Sequence, residues 1–94
     1  MLQAVKDYLK ITWDDEDALL QAIIERGKAY LNDLTGSELD FDVAGPPRSL
    51  LLDYCRYVYN NASEYFEENF ARELLRLQLQ VGVGELDAVE ETTG

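Results

Sequence analysis

Apolar residues recur at helical spacing along most of the chain. Leu2, Val5 and Leu9 predict a short amphipathic helix over residues 2–10. The next segment carries a longer apolar face, made of Leu20, Ile23, Ile24, Gly27, Tyr30, Leu31 and Leu34. This face predicts a second helix over residues 14–35, followed by Gly36 in the left-handed conformation that often ends a helix.

Gly27 lies in the middle of this second helix, on its apolar face. Glycine in a helix interior costs about 1 kcal/mol relative to alanine. We therefore expect a compensating close approach of another helix, either the first or the third.

The second helix follows an acidic run, Asp14 to Asp17. Thr12 or Asp14 is the predicted N-cap, and the other carboxylates would lie in the first turn, where the helix dipole favours negative charge. The run is also the one cluster that suggests a metal. Calcium loops, however, place oxygen ligands at alternate positions around a glycine, and that spacing is absent. We predict no metal site.

Residues 37–45 alternate polar and apolar positions through Leu39, Phe41 and Val43. This pattern fits a short strand or an extended loop. A strand would have no ladder partner within the domain. We expect an extended loop that places Leu39 and Phe41 in the core.

Pro46 and Pro47 fit the first turn of a third helix, predicted over residues 47–61. One straight helix to residue 80 would span about 50 Å, whereas a compact domain of this length is about 32 Å across. Such a helix would protrude or be broken. Asn61, with Glu64 three residues later, reads as a capping pair and predicts a kink or turn before a fourth helix over residues 62–80.

The apolar arc of the fourth helix is wide. Phe66, Phe70 and Leu74 share one face, and Leu75 and Leu79 lie on another. This arc fits either a well-buried terminal helix or an intersubunit surface. The sequence thus predicts an all-α fold: a small bundle of about four helices as a single domain over residues 1–80, with a mobile acidic tail over residues 81–94.

The excess of acidic residues limits the classes of partner that the protein can bind. The 94 residues include 19 acidic and 8 basic side chains, a net charge of −11. This excess disfavours adhesion to nucleic acid or to an anionic membrane. It leaves three roles: binding a basic partner, imitating nucleic acid, or lining a passage through which DNA slides. With no signal peptide and no long apolar run, we expect a soluble intracellular protein.

The side chains that usually perform catalysis are scarce. The sequence has no histidine, and its one cysteine, Cys55, lies in an apolar helical stretch. We expect this thiol to be buried and structural, without an intramolecular disulfide. Gly82 and Gly84 are followed by no lysine, so they form no phosphate-binding loop. We predict no catalytic, cofactor-binding or metal-binding residue and no enzyme activity.

Three segments carry a resemblance to a known family. They are a short helix that ends in Leu9-Lys-Ile11, the cap Asp14-Asp-Glu-Asp17, and a helix that closes with Tyr30-Leu-Asn-Asp-Leu-Thr-Gly36. Their order resembles the head-tail connector proteins of tailed bacteriophages and prophages, and Tyr57-Val-Tyr-Asn-Asn61 is similar to the family's second half.

The resemblance implies a structural adaptor, a virion protein with no catalytic residue and no cofactor. Such a subunit forms a homo-oligomeric ring of about twelve copies beneath the portal protein. The ring joins the head to the tail-side connector proteins, and DNA is present only as the passing genome. The implied location is the head-tail junction of the virion, and the host bacterial cytoplasm before assembly, without a membrane.

Candidate interface residues come from the third helix, the junction and the fourth helix. They are Tyr59, Tyr65, Phe66, Phe70, Arg72, Leu75, Arg76 and Leu79. Tyr59, opposite Tyr57, reads as an exposed aromatic anchor or as a partly covered surface tyrosine. The two arginines are expected to pair with acidic neighbours, and Trp13 to pack back on the second helix.

A competing interpretation is an acidic helical partner-binding protein, such as a DNA-mimic inhibitor of a basic protein. It requires carboxylates at regular spacing on an exposed face. Glu64, Glu67 and Glu68 partly supply them, but Arg72 and Arg76 interrupt the array. A small enzyme is a third alternative, supported only by the acidic run at residues 14–17.

Overall fold

The structure is a computed structural model that describes the backbone of residues 1–93 and the side chains of residues 1–82. Its helices are α1 (Leu2–Leu9), α2 (Asp17–Thr35), α3 (Pro46–Tyr59), α4 (Phe66–Asn69) and α5 (Ala71–Thr93), with a 3₁₀ turn at Ser63–Tyr65. The all-α prediction is confirmed for these residues. The described backbone contains five α-helices, however, where about four were predicted.

The connection between α1 and α2 differs from the prediction. Lys10 adopts the left-handed conformation (φ 60°) and ends α1. The N-cap of α2 is Glu16, without a side-chain capping bond, so the predicted caps Thr12 and Asp14 are wrong. Asp14 instead accepts a hydrogen bond from the buried Lys6, 2.5 Å away. The Asp14 side chain therefore binds Lys6 on α1 and does not cap α2.

Helices α2 and α3 form the centre of the bundle and run antiparallel. A Cβ atom on Gly27 would lie 2.6 Å from Leu51 Cδ1 and 2.7 Å from Tyr54 Cδ1. The predicted close approach at Gly27 is therefore confirmed, and its partner is the third helix. The core contains Val5, Ile11, Leu20, Ile23, Ile24, Leu31, Phe41, Leu50, Leu51, Cys55, Phe66, Leu74 and Leu77.

Residues 37–45 form a loop, as predicted, and no strand is present in the described backbone. Phe41 is buried and Leu39 half-buried. Gly36 has a φ of 70°, which confirms its predicted left-handed conformation after α2. The loop ends at Pro46, the first residue of α3.

The predicted break near Asn60 is present, but its mechanism is different. Asn61 adopts a left-handed φ of 58°, and the Ala62 amide donates to the Tyr57 carbonyl at 2.8 Å. Asn61 therefore terminates α3, and the next turn has Ala62 as its N-cap, with no side-chain capping bond. The predicted capping pair of Asn61 with Glu64 is wrong.

The predicted helix over residues 62–80 is divided into the 3₁₀ turn, α4 and α5. Helix α5 continues past residue 80, where the prediction ended it. Its buried residues, Leu74 and Leu77, pack on α2 and α3. The predicted mobility of the acidic tail concerns side chains that lie outside the described residues.

Candidate functional site

An aromatic cluster fixes the turn between α3 and α5. Phe66 is 2% exposed and makes edge-to-face contacts with Tyr30, Tyr54 and Tyr57. Phe70 is half-buried and stacks on Phe66 with ring centroids 5.0 Å apart. Of the predicted interface residues, Phe66 is thus a core residue of the folded chain and offers no surface for a partner.

Tyr30 closes this cluster with a polar contact. Its hydroxyl donates a hydrogen bond to Glu67 Oε1 at 2.8 Å. Burial, and then the hydrogen bond to this carboxylate, raise the pKa of Tyr30. The phenol therefore stays protonated and serves to hold α4 against α2.

Tyr59 is partly covered, which is the second of the two alternatives that the sequence left open, and it is not an exposed anchor. It is half-buried, and its hydroxyl donates to Glu16 Oε1 at 2.7 Å. Trp13 Nε1 donates to the same oxygen, also at 2.7 Å. The hydrogen bonds from Tyr59 and then from Trp13 lower the pKa of Glu16. Two donors, one from the connection before α2 and one from the end of α3, thus meet at one charged carboxylate.

The outer face of α5 carries four of the predicted interface residues: Arg72, Leu75, Arg76 and Leu79. Leu75 is 55% exposed and Leu79 is 59% exposed. The predicted ion pairs of the arginines are absent, because no described acidic side chain lies within ion-pair distance of either. Tyr65, before α4, is also exposed.

Two grooves flank α3. One, of about 190 Å³, lies against α5 and is lined by Pro46, Ser49, Leu50, Asp53, Phe70, Glu73, Arg76, Leu77 and Gln80. The other, of about 510 Å³, lies against α2 and is lined by Glu16, Leu19, Ile23, Arg26, Val58, Tyr59 and Asn61. The first groove contains the hydroxyl of Ser49 with Asp53 and Glu73, but Asp53 is bonded to Tyr8 and Arg56, and no described hydrogen bond joins Ser49 to either carboxylate. The second groove is lined by apolar and by charged side chains.

The acidic run before α2 is bound within the chain. Lys6 is buried and its ammonium group contacts Asp14 and Asp17, at 2.5 and 2.8 Å. The hydrogen bonds to Asp14 and Asp17 raise the pKa of Lys6 despite its burial. Among the described residues, no three potential metal ligands cluster together. Two of the four carboxylates thus link α2 to α1.

Cys55 is fully buried, as predicted. Desolvation raises the pKa of its thiol to about 12. A thiol in this environment holds its proton near neutral pH and is a poor nucleophile. Its contribution is to pack the core.

Sequence reasoning missed Leu19, which is 51% exposed, and assigned Trp13 to packing, although it is 47% exposed. Leu19 could have been recognised, because it lies off the apolar face that Leu20 and Ile23 define. Trp13 is bonded to Glu16 through its indole N–H, and no pattern in the sequence indicates this hydrogen bond.

The structure is that of a small protein whose described residues form helices and connecting loops, with exposed apolar side chains on α5 and near the start of α2. The model of the phage gp6-like head-tail connector proteins matches residues 1–84. The chain belongs to this family. The family is structural, which confirms the expectation that the chain is not an enzyme and identifies it as a virion component.

Neither a search of curated proteins nor a search of solved structures gave a match. In the part of the chain that the structure describes, none of the helices combines the length and the apolar character needed to span a bilayer.

Proposed function

We propose that this protein is a subunit of a ring that lies beneath the portal of the phage head and joins it to the tail. The observation that carries the proposal is the family match over residues 1–84, which includes all five helices to the middle of α5. Solvent-exposed Leu75 and Leu79 support an assembled state, since exposed leucines side by side on a helix are typical of contact faces.

The charge of the chain fits a ring with a DNA channel. A net charge of −11 on each subunit gives a ring a strongly negative field, because every copy contributes the same charge. Double-stranded DNA is repelled by such a wall and does not adhere to it. The genome would then pass through the ring without binding tightly to any subunit.

The portal protein and a tail-side connector protein are the proposed neighbours above and below a ring of about twelve copies. Before assembly, the subunit would be in the host cytoplasm. The DNA-mimic alternative has less support, because Arg72 and Arg76 lie on an exposed helical face where a phosphate mimic would need carboxylates.

Removal of the gene from the phage tests this function. We expect heads and tails to accumulate separately, as seen by electron microscopy, because the joint between them is missing. Purified protein added to the isolated heads should restore their joining to tails. Infectious virions of normal appearance from the deleted phage would contradict the proposal.

A further inference from the structure

The outer face of α5 is distinct in a chain of this charge. Four exposed residues form one stripe along this helix, because they are spaced by three, one and three positions. We call it the α5 stripe, and it consists of Arg72, Leu75, Arg76 and Leu79. Arg72, Leu75 and Leu79 point away from the buried Leu74 and Leu77, whereas Arg76 lies at the edge of the stripe and also lines the groove between α3 and α5. Neither arginine has a described acidic partner, although the chain has 19 acidic side chains. The stripe is therefore both apolar and positively charged.

A second surface has the complementary character. We call this second surface the Glu16 patch, and it consists of Trp13, Asp15, Glu16, Leu19 and Tyr59. Trp13 and Tyr59 both donate to Glu16 Oε1, and Leu19 lines the same groove as Glu16 and Tyr59. Asp15, which directly precedes Glu16 in the sequence, is exposed and has no described hydrogen bond or ion pair. Arg26 lines this groove too, further along α2 than Leu19.

The two surfaces lie at different ends of the bundle. The side chain of Gln78, next to Leu79, donates to the Leu34 carbonyl at 3.1 Å, so this part of α5 lies at the C-terminal end of α2. Leu19 precedes Leu34 by fifteen residues, which is about 22 Å along the helix axis. The α5 stripe therefore does not cover the Glu16 patch of its own chain.

We propose that the α5 stripe of one subunit docks on the Glu16 patch of the next copy of this chain. Leu75 and Leu79 pack against Trp13 and Leu19, while Arg72 and Arg76 pair with Asp15 and Glu16. The proposal rests on the proposed ring function and specifies its subunit contact. Because two different surfaces meet, the contact is heterologous, and repeated rotation by the same angle closes it into a ring.

Charge complementarity selects a second copy as the occupant. Each copy carries a net charge of −11, so two copies repel one another unless opposite charges are placed together. The α5 stripe carries two of the eight basic residues. When the stripe contacts Asp15 and Glu16 of the next copy, positive side chains face negative ones, and the repulsion between the two subunits is reduced.

Disulfide cross-linking tests the contact directly. In a Cys55→Ala background, Leu19→Cys with Leu79→Cys should give a ladder of covalent oligomers under mild oxidation. The matched control is Val43→Cys with Leu79→Cys, since Val43 is equally exposed at 57% but lies outside the patch. The control should show little ladder. Equal ladders from both pairs, or a ladder from the control alone, would overturn the proposal.

The second test reverses the charge of the two arginines. Assembly of the wild type and of the variant is measured with the protein alone and with purified portal protein added. Arg72→Glu with Arg76→Glu should raise the concentration for half-assembly at least tenfold. Adding Asp15→Arg to that variant should recover much of the loss.

The results of these tests distinguish failure of the proposed contact from failure of the proposed ring. If the arginine variant still forms the ring, or if it assembles normally but no longer binds the portal protein, the contact alone is overturned. If wild type forms no ring in either condition, both the contact and the proposed ring function fail.

Discussion

Gly27 and Leu51 are in such close contact that a methyl group on residue 27 would come within 2.6 Å of Leu51 Cδ1. Leu51 is fully buried, and the neighbouring Tyr54 stacks on Tyr30, so neither side chain has free space to move into. The absence of a side chain at residue 27 thus sets the distance between the two central helices.

Gly27→Ala should therefore destabilise the protein, although alanine favours helix formation. Overpacking costs about 1 to 3 kcal/mol, and the gain in helix propensity is about 1 kcal/mol. Contacts of 2.6 and 2.7 Å place the overpacking cost in the upper part of this range, at about 2 to 3 kcal/mol, so we expect the free energy of unfolding to fall by about 1 to 2 kcal/mol in chemical denaturation. Ala22→Gly, on the exposed side of α2, is the matched control and measures the propensity difference alone. An unchanged or increased stability in Gly27→Ala would contradict the packing.

Leu74 and Leu75 are adjacent in sequence but face opposite sides of α5. Leu74 is 6% exposed and Leu75 is 55% exposed. Leu74→Ala should lower the free energy of unfolding by about 2 to 4 kcal/mol, because it leaves a cavity. Leu75→Ala should change it by less than about 0.5 kcal/mol. Thermal and chemical unfolding of the two variants at low protein concentration would check this, and similar losses in both would show that the register of α5 is wrong.

The hydrogen bonds to Glu16 should make stability depend on acidic pH. Since the folded-state pKa of Glu16 is lowered, its stabilising contribution is fully present above its ordinary pKa of 4.5 and is lost as the pH falls through the folded-state value. The melting temperature of wild type should therefore drop more steeply below about pH 4.5 than that of Trp13→Phe/Tyr59→Phe, which has no donors to this carboxylate. If the melting temperatures of the two proteins fell equally with decreasing pH, the hydrogen bonds to Glu16 would not stabilise the fold.

Cys55 provides a probe of global unfolding. Because its thiol is fully buried and its pKa is raised to about 12, a disulfide reagent at mildly alkaline pH should label native protein no faster than the protein unfolds. Labelling should accelerate sharply in denaturant. Rapid labelling of the native protein would place Cys55 at the surface.

The elements that sequence predicted well have local causes. Gly36 after α2, the prolines that begin α3 and the interruption near Asn60 each depend on the conformational preference of one or two residues. The apolar face around Leu20 and Ile23 depends only on helical spacing. Such signals are complete within a few residues, so they can be identified without knowledge of the partner elements.

The errors have tertiary causes. Asp14 was assigned to a cap, but Lys6 on α1 binds it. For Tyr59 the sequence left open an exposed anchor or a partly covered tyrosine, because its hydroxyl reaches Glu16, which is 43 residues away in sequence. Phe66 was placed on a surface, yet three tyrosines surround it. In each case the partner comes from an element whose position the helical pattern does not specify.

The most direct test of the central claim is native mass spectrometry of the purified protein over a concentration series, alone and with the portal protein. The account predicts one closed oligomer of about twelve copies, with few species between it and the monomer, because a heterologous contact gains its last interface on closure. Monomers and dimers at all concentrations, with no ring on the portal, would contradict it.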